Sequence, residues 1–88
     1  MNKLRYVWSV YLVECGDGTL YCGVSLDPHT RVRLHNLGKG AKYTRSRLPV
    51  RLVYVVELGG KSEAFKREYR IKQMPRKMKL SLIAGLSG

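Results

Sequence analysis

The sequence predicts an α+β domain, an α/β sandwich in which a small three-stranded antiparallel-type sheet is flanked by helices. Short runs of β-branched and aromatic residues alternate with helical segments in the order ββαβαα. The chain has 88 residues, which suits one core, whereas two cores would each be too small. We therefore expect residues 1–88 to form a single domain.

The first two strands form a predicted β-hairpin. Residues 7–15 and 20–24 are rich in Val, Tyr and Leu, and a Gly-Asp-Gly sequence separates them. A three-residue loop places Tyr11 opposite Gly23, so Tyr11 and Tyr21 share one face of the sheet. A two- or four-residue loop would put the two tyrosines on opposite faces.

The first helix is predicted to begin at Asp27 and Pro28, since the carboxylate caps free N–H groups and proline suits the first helical position. It is expected to run to about Asn36 and to end at Gly38. Residues 38–49 are polar and basic and predict a loop, and the apolar residues 50–57 predict the third strand.

Two more helices are expected after Gly59 and Gly60. Ser62 is the predicted N-cap of a helix that runs to about Met74, before Pro75. Residues 76–86 predict a last short helix, whose apolar stripe consists of Met78, Leu82 and Leu86.

The charge balance points to a polyanionic partner. Seventeen Lys and Arg against six Asp and Glu give a net charge of +11, and no acidic residue occurs in residues 28–56 or after Glu68. Contact with nucleic-acid phosphates is favoured over a merely solvated basic surface and over a basic membrane helix.

No apolar run reaches the roughly 20 residues that span a bilayer. Two cysteines with no secretion signal predict free thiols in a cytoplasmic protein.

Several polar residues are expected to point toward the sheet. Glu68 lies inside the apolar arc of the second predicted helix, where it either pairs with a neighbouring cation or binds a hard divalent cation. Arg31 and His35 share a face of the first helix, and an inward guanidinium needs an anionic partner, Glu68 or a phosphate. His35 is either buried and hydrogen-bonded or chemically active. Together with Tyr11 and Tyr21 these residues predict a phosphoryl-transfer site. A zinc site is disfavoured by the spacing of its four ligands, Cys15, Cys22, His29 and His35.

Four sequence features resemble the GIY-YIG nuclease superfamily. Ser9-Val10-Tyr11 and Tyr21-Cys22-Gly23 look like its paired tripeptides, although Ser9 and Val10 replace the glycine and isoleucine of the first. Arg31 matches the helix arginine, with His35 and Asn36 after it, and Glu68 matches the metal-binding glutamate. Residues 38–44 further resemble the small stand-alone bacterial members.

The resemblance implies a divalent-metal-dependent endonuclease that hydrolyses phosphodiester bonds in DNA and leaves a 5′-phosphate and a 3′-hydroxyl. Tyr11 would act as general base or position the water, Tyr21 would orient the nucleophile or the phosphate, and Arg31 would stabilise the transition state. Glu68 would hold one Mg²⁺ or Mn²⁺ ion. Gly23, His35 and Asn36 are expected to support this site. A non-cleaving nucleic-acid-binding module of the same fold, or an RNA-binding accessory protein, is the alternative.

Charge more than motif selects the residues expected to hold the nucleic-acid backbone. These are Lys39, Lys42, Tyr43, Arg45, Arg70 and Lys72. DNA is the expected partner, and single-stranded DNA, branched DNA and RNA stay open as substrates. No membrane partner is expected. Since a single domain leaves no residues for a separate targeting domain, specificity would come from this domain, from a homodimer or from a partner protein.

Overall fold

A computed structural model of the chain describes residues 7–85. Its elements are β1 (Trp8–Glu14), β2 (Leu20–Ser25), α1 (Pro28–Asn36), α2 (Lys42–Arg45), β3 (Arg51–Gly59), α3 (Lys61–Lys72) and α4 (Arg76–Ile83). The three strands form one antiparallel sheet in the order β2-β1-β3. The predicted α+β class and the order ββαβαα are confirmed, with the short helix α2 added. In the described part of the chain, no helix has the length and apolar character needed to cross a membrane.

The hairpin has the three-residue loop that the sequence favours. The N–H of Cys15 donates to the carbonyl of Thr19 at 2.8 Å, and Tyr11 lies opposite Gly23. Gly18 has a φ of 84°, a left-handed conformation that suits glycine. Tyr11 and Tyr21 therefore point to the same face of the sheet, as predicted.

Helices cover both faces of the sheet. On one face Val10 and Leu12 pack with Ala64 and Ile71 of α3, and we call this the α3 face. On the other face Tyr11 and Val13 pack with residues that include Val32 of α1, and we call this the α1 face. Because alternate residues of a strand point to opposite sides, the central strand β1 supplies both cores.

The start of α1 follows the prediction. Asp27 accepts hydrogen bonds from the N–H of Thr30 at 3.2 Å and from its hydroxyl at 2.8 Å. These bonds lower the pKa of Asp27 below its ordinary value. Pro28 occupies the first turn, and Gly38, with a φ of 77°, follows the end of the helix.

Three local predictions are wrong. Residues 38–49 are not all loop, because α2 forms where the Thr44 hydroxyl bonds the carbonyl of Ala41. Ser62 is not the N-cap of α3, since Gly60 is, and the Glu63 carboxylate accepts from the N–H of Gly60 at 3.3 Å. Met78 is 52% exposed and does not face the core.

The remaining boundaries differ by a few residues. The third strand extends to Gly59, beyond the predicted end at residue 57, and α3 ends at Lys72 rather than at about Met74. In the last helix Leu82 packs against the core of the α3 face, and Leu86 lies outside the described residues. Cys15 and Cys22 are free, as expected, and both are buried.

Candidate active site

A buried tyrosine–histidine pair lies at the centre of the α1 face. Tyr11 comes from the middle of β1 and is 1% exposed, and His35 comes from the last turn of α1 and is 0% exposed. The hydroxyl of Tyr11 lies 2.9 Å from Nε2 of His35. His35 is thus fully buried and hydrogen-bonded, and it directly contacts a predicted catalytic residue.

The hydrogen bonds of Thr44 favour one tautomer of His35. The Thr44 hydroxyl donates its one hydrogen to the carbonyl of Ala41 at 3.0 Å, so it accepts from Nδ1 of His35 at 2.8 Å. The N–H of Ala41 donates toward Nδ1 at 3.4 Å, beyond the usual range, and this weaker bond favours the opposite tautomer. With the hydrogen on Nδ1, the free lone pair of Nε2 accepts the proton of the Tyr11 hydroxyl.

Two glycines allow this pair to pack against the backbone. A Cβ at Gly23 would overlap the hydroxyl of Tyr11, and a Cβ at Gly40 would overlap Nδ1 of His35. Only glycine leaves room for the rings at these positions. Gly23 was among the residues selected from the sequence, whereas sequence reasoning missed Gly40 and Thr44. Their signal was a small residue and a hydroxyl shortly after the predicted helix.

The buried environment sets the protonation of both residues. Burial raises the pKa of Tyr11 to about 12, although the Arg31 guanidinium beside it lowers the pKa in part. Burial and, secondarily, the charge of Arg31 lower the pKa of His35 below its ordinary value of 6.5. At neutral pH Tyr11 is therefore a phenol and His35 a neutral imidazole.

Arg31 is half-buried on α1 and lines a surface groove together with Trp8 of β1. Within residues 7–85 no carboxylate forms an ion pair with Arg31. Of the two anionic partners considered from the sequence, Glu68 pairs instead with Lys72. The guanidinium is available to a phosphate at the groove.

Tyr21 belongs to a stack of rings beside the pair. Its ring meets that of His35 edge-on at a centroid distance of 5.5 Å and lies nearly parallel to that of Tyr43 at 5.9 Å. The guanidinium of Arg47 covers the Tyr43 ring, with its carbon 3.8 Å from the ring centroid, and its Nε lies 3.1 Å from a carboxylate oxygen of Asp17. This stack fixes Tyr21, and sequence reasoning had not singled out Arg47.

Glu68 does not join the cluster on the α1 face. It lies on α3, its side chain is 16% exposed, and one carboxylate oxygen is 3.3 Å from Nζ of Lys72. Its charge, after burial, helps to raise the pKa of Cys22 to about 11, which places Glu68 beside β2 on the α3 face. Because β2 is an edge strand, the two faces adjoin along its open edge.

The single carboxylate of Glu68 fits a divalent ion that keeps most of its water ligands. In the described chain no three His, Cys, Asp or Glu side chains cluster to hold a metal. Mg²⁺ is often bound through one or two carboxylates, with water and substrate phosphates completing its six ligands. Glu68 alone suffices for that arrangement, with Lys72 as the competing cation.

The other predicted residues divide into two groups. Asn36 clamps the backbone of Val50, donating to its carbonyl at 2.9 Å and accepting from its N–H at 2.8 Å, so Asn36 positions β3 against α1. The predicted nucleic-acid contacts are exposed and lie on both sides of the sheet. Those on the α1 side are Lys39, Lys42, Tyr43 and Arg45, and those on α3 are Arg70 and Lys72.

Comparisons with known proteins find a matching family and similar proteins. Residues 7–81 match the model of the GIY-YIG catalytic domain. The chain is 46% identical to a UPF0213 protein of Nitratidesulfovibrio vulgaris over 99% of this chain and 79% of the relative. It is 55% identical to a UPF0213 protein of Staphylococcus epidermidis over 84% and 90%. The solution NMR structure of a UPF0213 protein from Bacillus halodurans is similar, with 41% identity, a TM-score of 0.59, and coverage of 93% of this chain and 87% of that one.

Proposed function

The chain belongs to the GIY-YIG family, and from this membership we propose that it is a divalent-metal-dependent endonuclease that hydrolyses phosphodiester bonds in DNA. The observation that carries the proposal is the hydrogen-bonded chain from Tyr11 through His35 to Thr44, beside an Arg31 free of carboxylate partners within residues 7–85. A purely structural pair would not need an adjacent arginine that also lines an open groove.

Tyr11 acts by passing a proton on. With a pKa of about 12 it is too weak an acid to exist as a phenolate at neutral pH. As a water molecule attacks the phosphorus, Tyr11 accepts a proton from that water and gives its own proton to Nε2 of His35. After the two transfers His35 is an imidazolium and Tyr11 is again a neutral phenol, so no free tyrosinate forms. The lowered pKa of His35 keeps Nε2 free to accept at neutral pH.

The other residues act on the phosphate. Arg31 stabilises the negative charge that develops on the phosphate oxygens, and Tyr21, held in its ring stack, orients the phosphate or the water. The bond from phosphorus to the 3′-oxygen breaks, and the leaving oxygen takes a proton from solvent water, which gives a 5′-phosphate and a 3′-hydroxyl. Glu68 would hold the Mg²⁺ or Mn²⁺ ion, which would neutralise charge on the same phosphate.

The surrounding chain fits this activity. We propose that residues 1–88 form one domain and that the exposed cations on both sides of β2 hold the nucleic-acid backbone, since the net charge is +11. The two free thiols suit a reducing compartment, the cytoplasm. Selection of the cleavage site through a homodimer or a partner protein stays part of the proposal.

A cleavage assay on single-stranded, nicked, branched and duplex DNA with Mg²⁺ at low salt tests the function. We expect Tyr11→Phe to lose about a hundredfold to ten-thousandfold of the rate, the usual effect of removing a general acid–base group. Glu68→Gln should lose the Mg²⁺-dependent rate, because the carboxylate that would hold the ion is gone. Tyr54→Phe is the matched control, because Tyr54 lies on the α3 face. Full activity of Glu68→Gln would refute the site. Tight binding by a parent protein that cleaves none of the four DNAs would identify a non-cleaving binding module.

A further inference from the structure

Two aromatic rings are exposed on the outer side of α3. Phe65 is 46% exposed and Tyr69 is 66% exposed, and the four-residue spacing puts them one helical turn apart on the same side. They line a shallow groove with Lys66 and Arg70. Exposed aromatic side chains that adjoin one another are typical of a binding surface rather than of bare solvent contact.

The aromatic row continues onto the end of β1. The rings of Trp8 and Phe65 have centroids 6.3 Å apart, and Nζ of Lys61 lies 5.4 Å from the centroid of Trp8. Rings and cations therefore alternate along one continuous surface. We call this surface the α3 belt and define it by Trp8, Lys61, Phe65, Lys66, Tyr69 and Arg70.

The α3 belt begins beside the candidate active site. Trp8 also lines the groove that contains Arg31. On α3, a rotation of about 100° per residue places Phe65 about 60° from Glu68 and Tyr69 about 100° from it, in the same direction around the helix. A strand bound between Arg31 and Glu68 can therefore continue across Trp8, Phe65 and Tyr69.

We propose that the α3 belt binds a single-stranded segment of the nucleic acid, with its rings stacked on unpaired bases and its cations in contact with phosphates. The inference rests on the proposed function and restricts its substrate to nucleic acid with a single-stranded segment. Unpaired bases expose the π-faces that aromatic side chains stack on, whereas paired bases cover them. An acidic peptide would be drawn to the cations, but unlike a nucleic acid it does not carry a flat ring on every residue to stack on a row of three aromatic side chains.

Binding of a short fluorescein-labelled oligothymidine, followed by anisotropy in EDTA to prevent cleavage, tests the proposal. We expect Tyr69→Ala and Phe65→Ala each to raise the Kd about five- to a hundredfold, the usual effect of removing a stacking ring. Tyr69→Phe keeps its ring and should restore binding. Leu37→Ala, which alters a residue 68% exposed at the end of α1, is the matched control and should bind like the parent. Circular dichroism verifies that each variant is folded.

Two further measurements locate the strand. Trp8 is the one tryptophan in the sequence, so its fluorescence should be quenched when the oligothymidine binds. Changing Lys66 and Arg70 to Gln should reduce the slope of log Kd against log salt by about 0.7 for each phosphate that the variant no longer neutralises.

The outcomes separate this inference from the proposed function. Parent-like binding by both alanine variants overturns the α3 belt and leaves the nuclease proposal standing. The same loss of affinity with a fully paired duplex, or a dimer that dissociates in Tyr69→Ala while DNA binding is unchanged, also overturns it. A parent protein that binds no nucleic acid refutes both proposals.

Discussion

The α1 face and the α3 face of the sheet share the strand β1 but differ in chemistry. On the α1 face Tyr11 is buried against a histidine whose two ring nitrogens are hydrogen-bonded. On the α3 face Val10 and Leu12 are buried among apolar side chains, with the carboxylate of Glu68 at the margin. One strand thus presents a polar cluster to one side and an apolar core to the other.

The comparison shows how a small domain can hold a buried polar cluster. Hydrogen bonds offset the free-energy cost of removing Tyr11, His35 and Thr44 from water. The apolar residues on the other side of the sheet stabilise the fold by burial, which requires no particular orientation of the partners. We expect changes in the polar cluster of the α1 face to affect cleavage more than stability, and changes in the apolar core of the α3 face to do the reverse. Substitutions on the two faces test this division.

Neighbouring substitutions in β1 should give the largest contrast. Leu12→Ala removes a fully buried side chain and should lower the free energy of unfolding by about 2–5 kcal/mol, with the cleavage rate per folded molecule retained. Tyr11→Phe should lower cleavage about a hundredfold or more and cost about 1 kcal/mol of stability. Urea unfolding and cleavage rates measured on both variants check this, and equal losses of activity would contradict the division.

Gly23→Ala should have the next largest effect. The added methyl group overlaps the Tyr11 hydroxyl, so the ring must shift, and a shift of about 1 Å can cost about a hundredfold in rate. Strain from overpacking should cost about 1–3 kcal/mol of stability. Cys22→Ala, at the adjacent position facing α3, is the matched control, and the prediction fails if it slows cleavage as much as Gly23→Ala does.

Thr44→Val tests whether the tautomer of His35 matters. The substitution keeps the shape but removes the hydroxyl that accepts from Nδ1, which should cost about 1–3 kcal/mol for the unpaired group and lower cleavage at least about tenfold. Thr44→Ser should recover both. Nitrogen-15 NMR of the imidazole should show the hydrogen on Nδ1 in the parent, and an Nε2–H tautomer there would refute the relay.

The pH dependence should show the smallest effect. The folded pKa of His35 lies below its unfolded value of 6.5, so the unfolded chain binds a proton first as the pH falls. The free energy of unfolding should therefore decrease below about pH 6.5 and level off below the folded pKa, where cleavage is also lost. Asp27 has a lowered pKa and contributes its own loss only below about pH 4.

Thermal unfolding of His29→Gln between about pH 5 and pH 8 isolates this effect, because His35 is then the one histidine. Stability that increases as the pH falls through this range would contradict the burial of a neutral His35.

Much of the fold followed from local sequence. The Gly-Asp-Gly loop set the hairpin register and so placed Tyr11 and Tyr21 on one face, and Asp27 with Pro28 located the start of α1. The Ser62 prediction failed because Glu63, one residue later, caps the N–H of Gly60 from inside the helix. Residues 38–49 were predicted as loop since their composition is polar, and α2 forms there through Thr44, which is buried against His35.

By itself the sequence determined the alternation by which successive residues of β1 contribute to two different cores. It also determined the turn residues and a net charge of +11, which suits a polyanionic partner. These depend on interactions between residues near one another in the chain, or on a simple sum of charges. Only the tertiary structure decided that Glu68 lies outside the cluster around Arg31, that Thr44 bonds Nδ1 of His35, and that Trp8 meets Phe65. Those outcomes depend on packing between distant segments, where distances of a few tenths of an ångström decide which polar groups are paired.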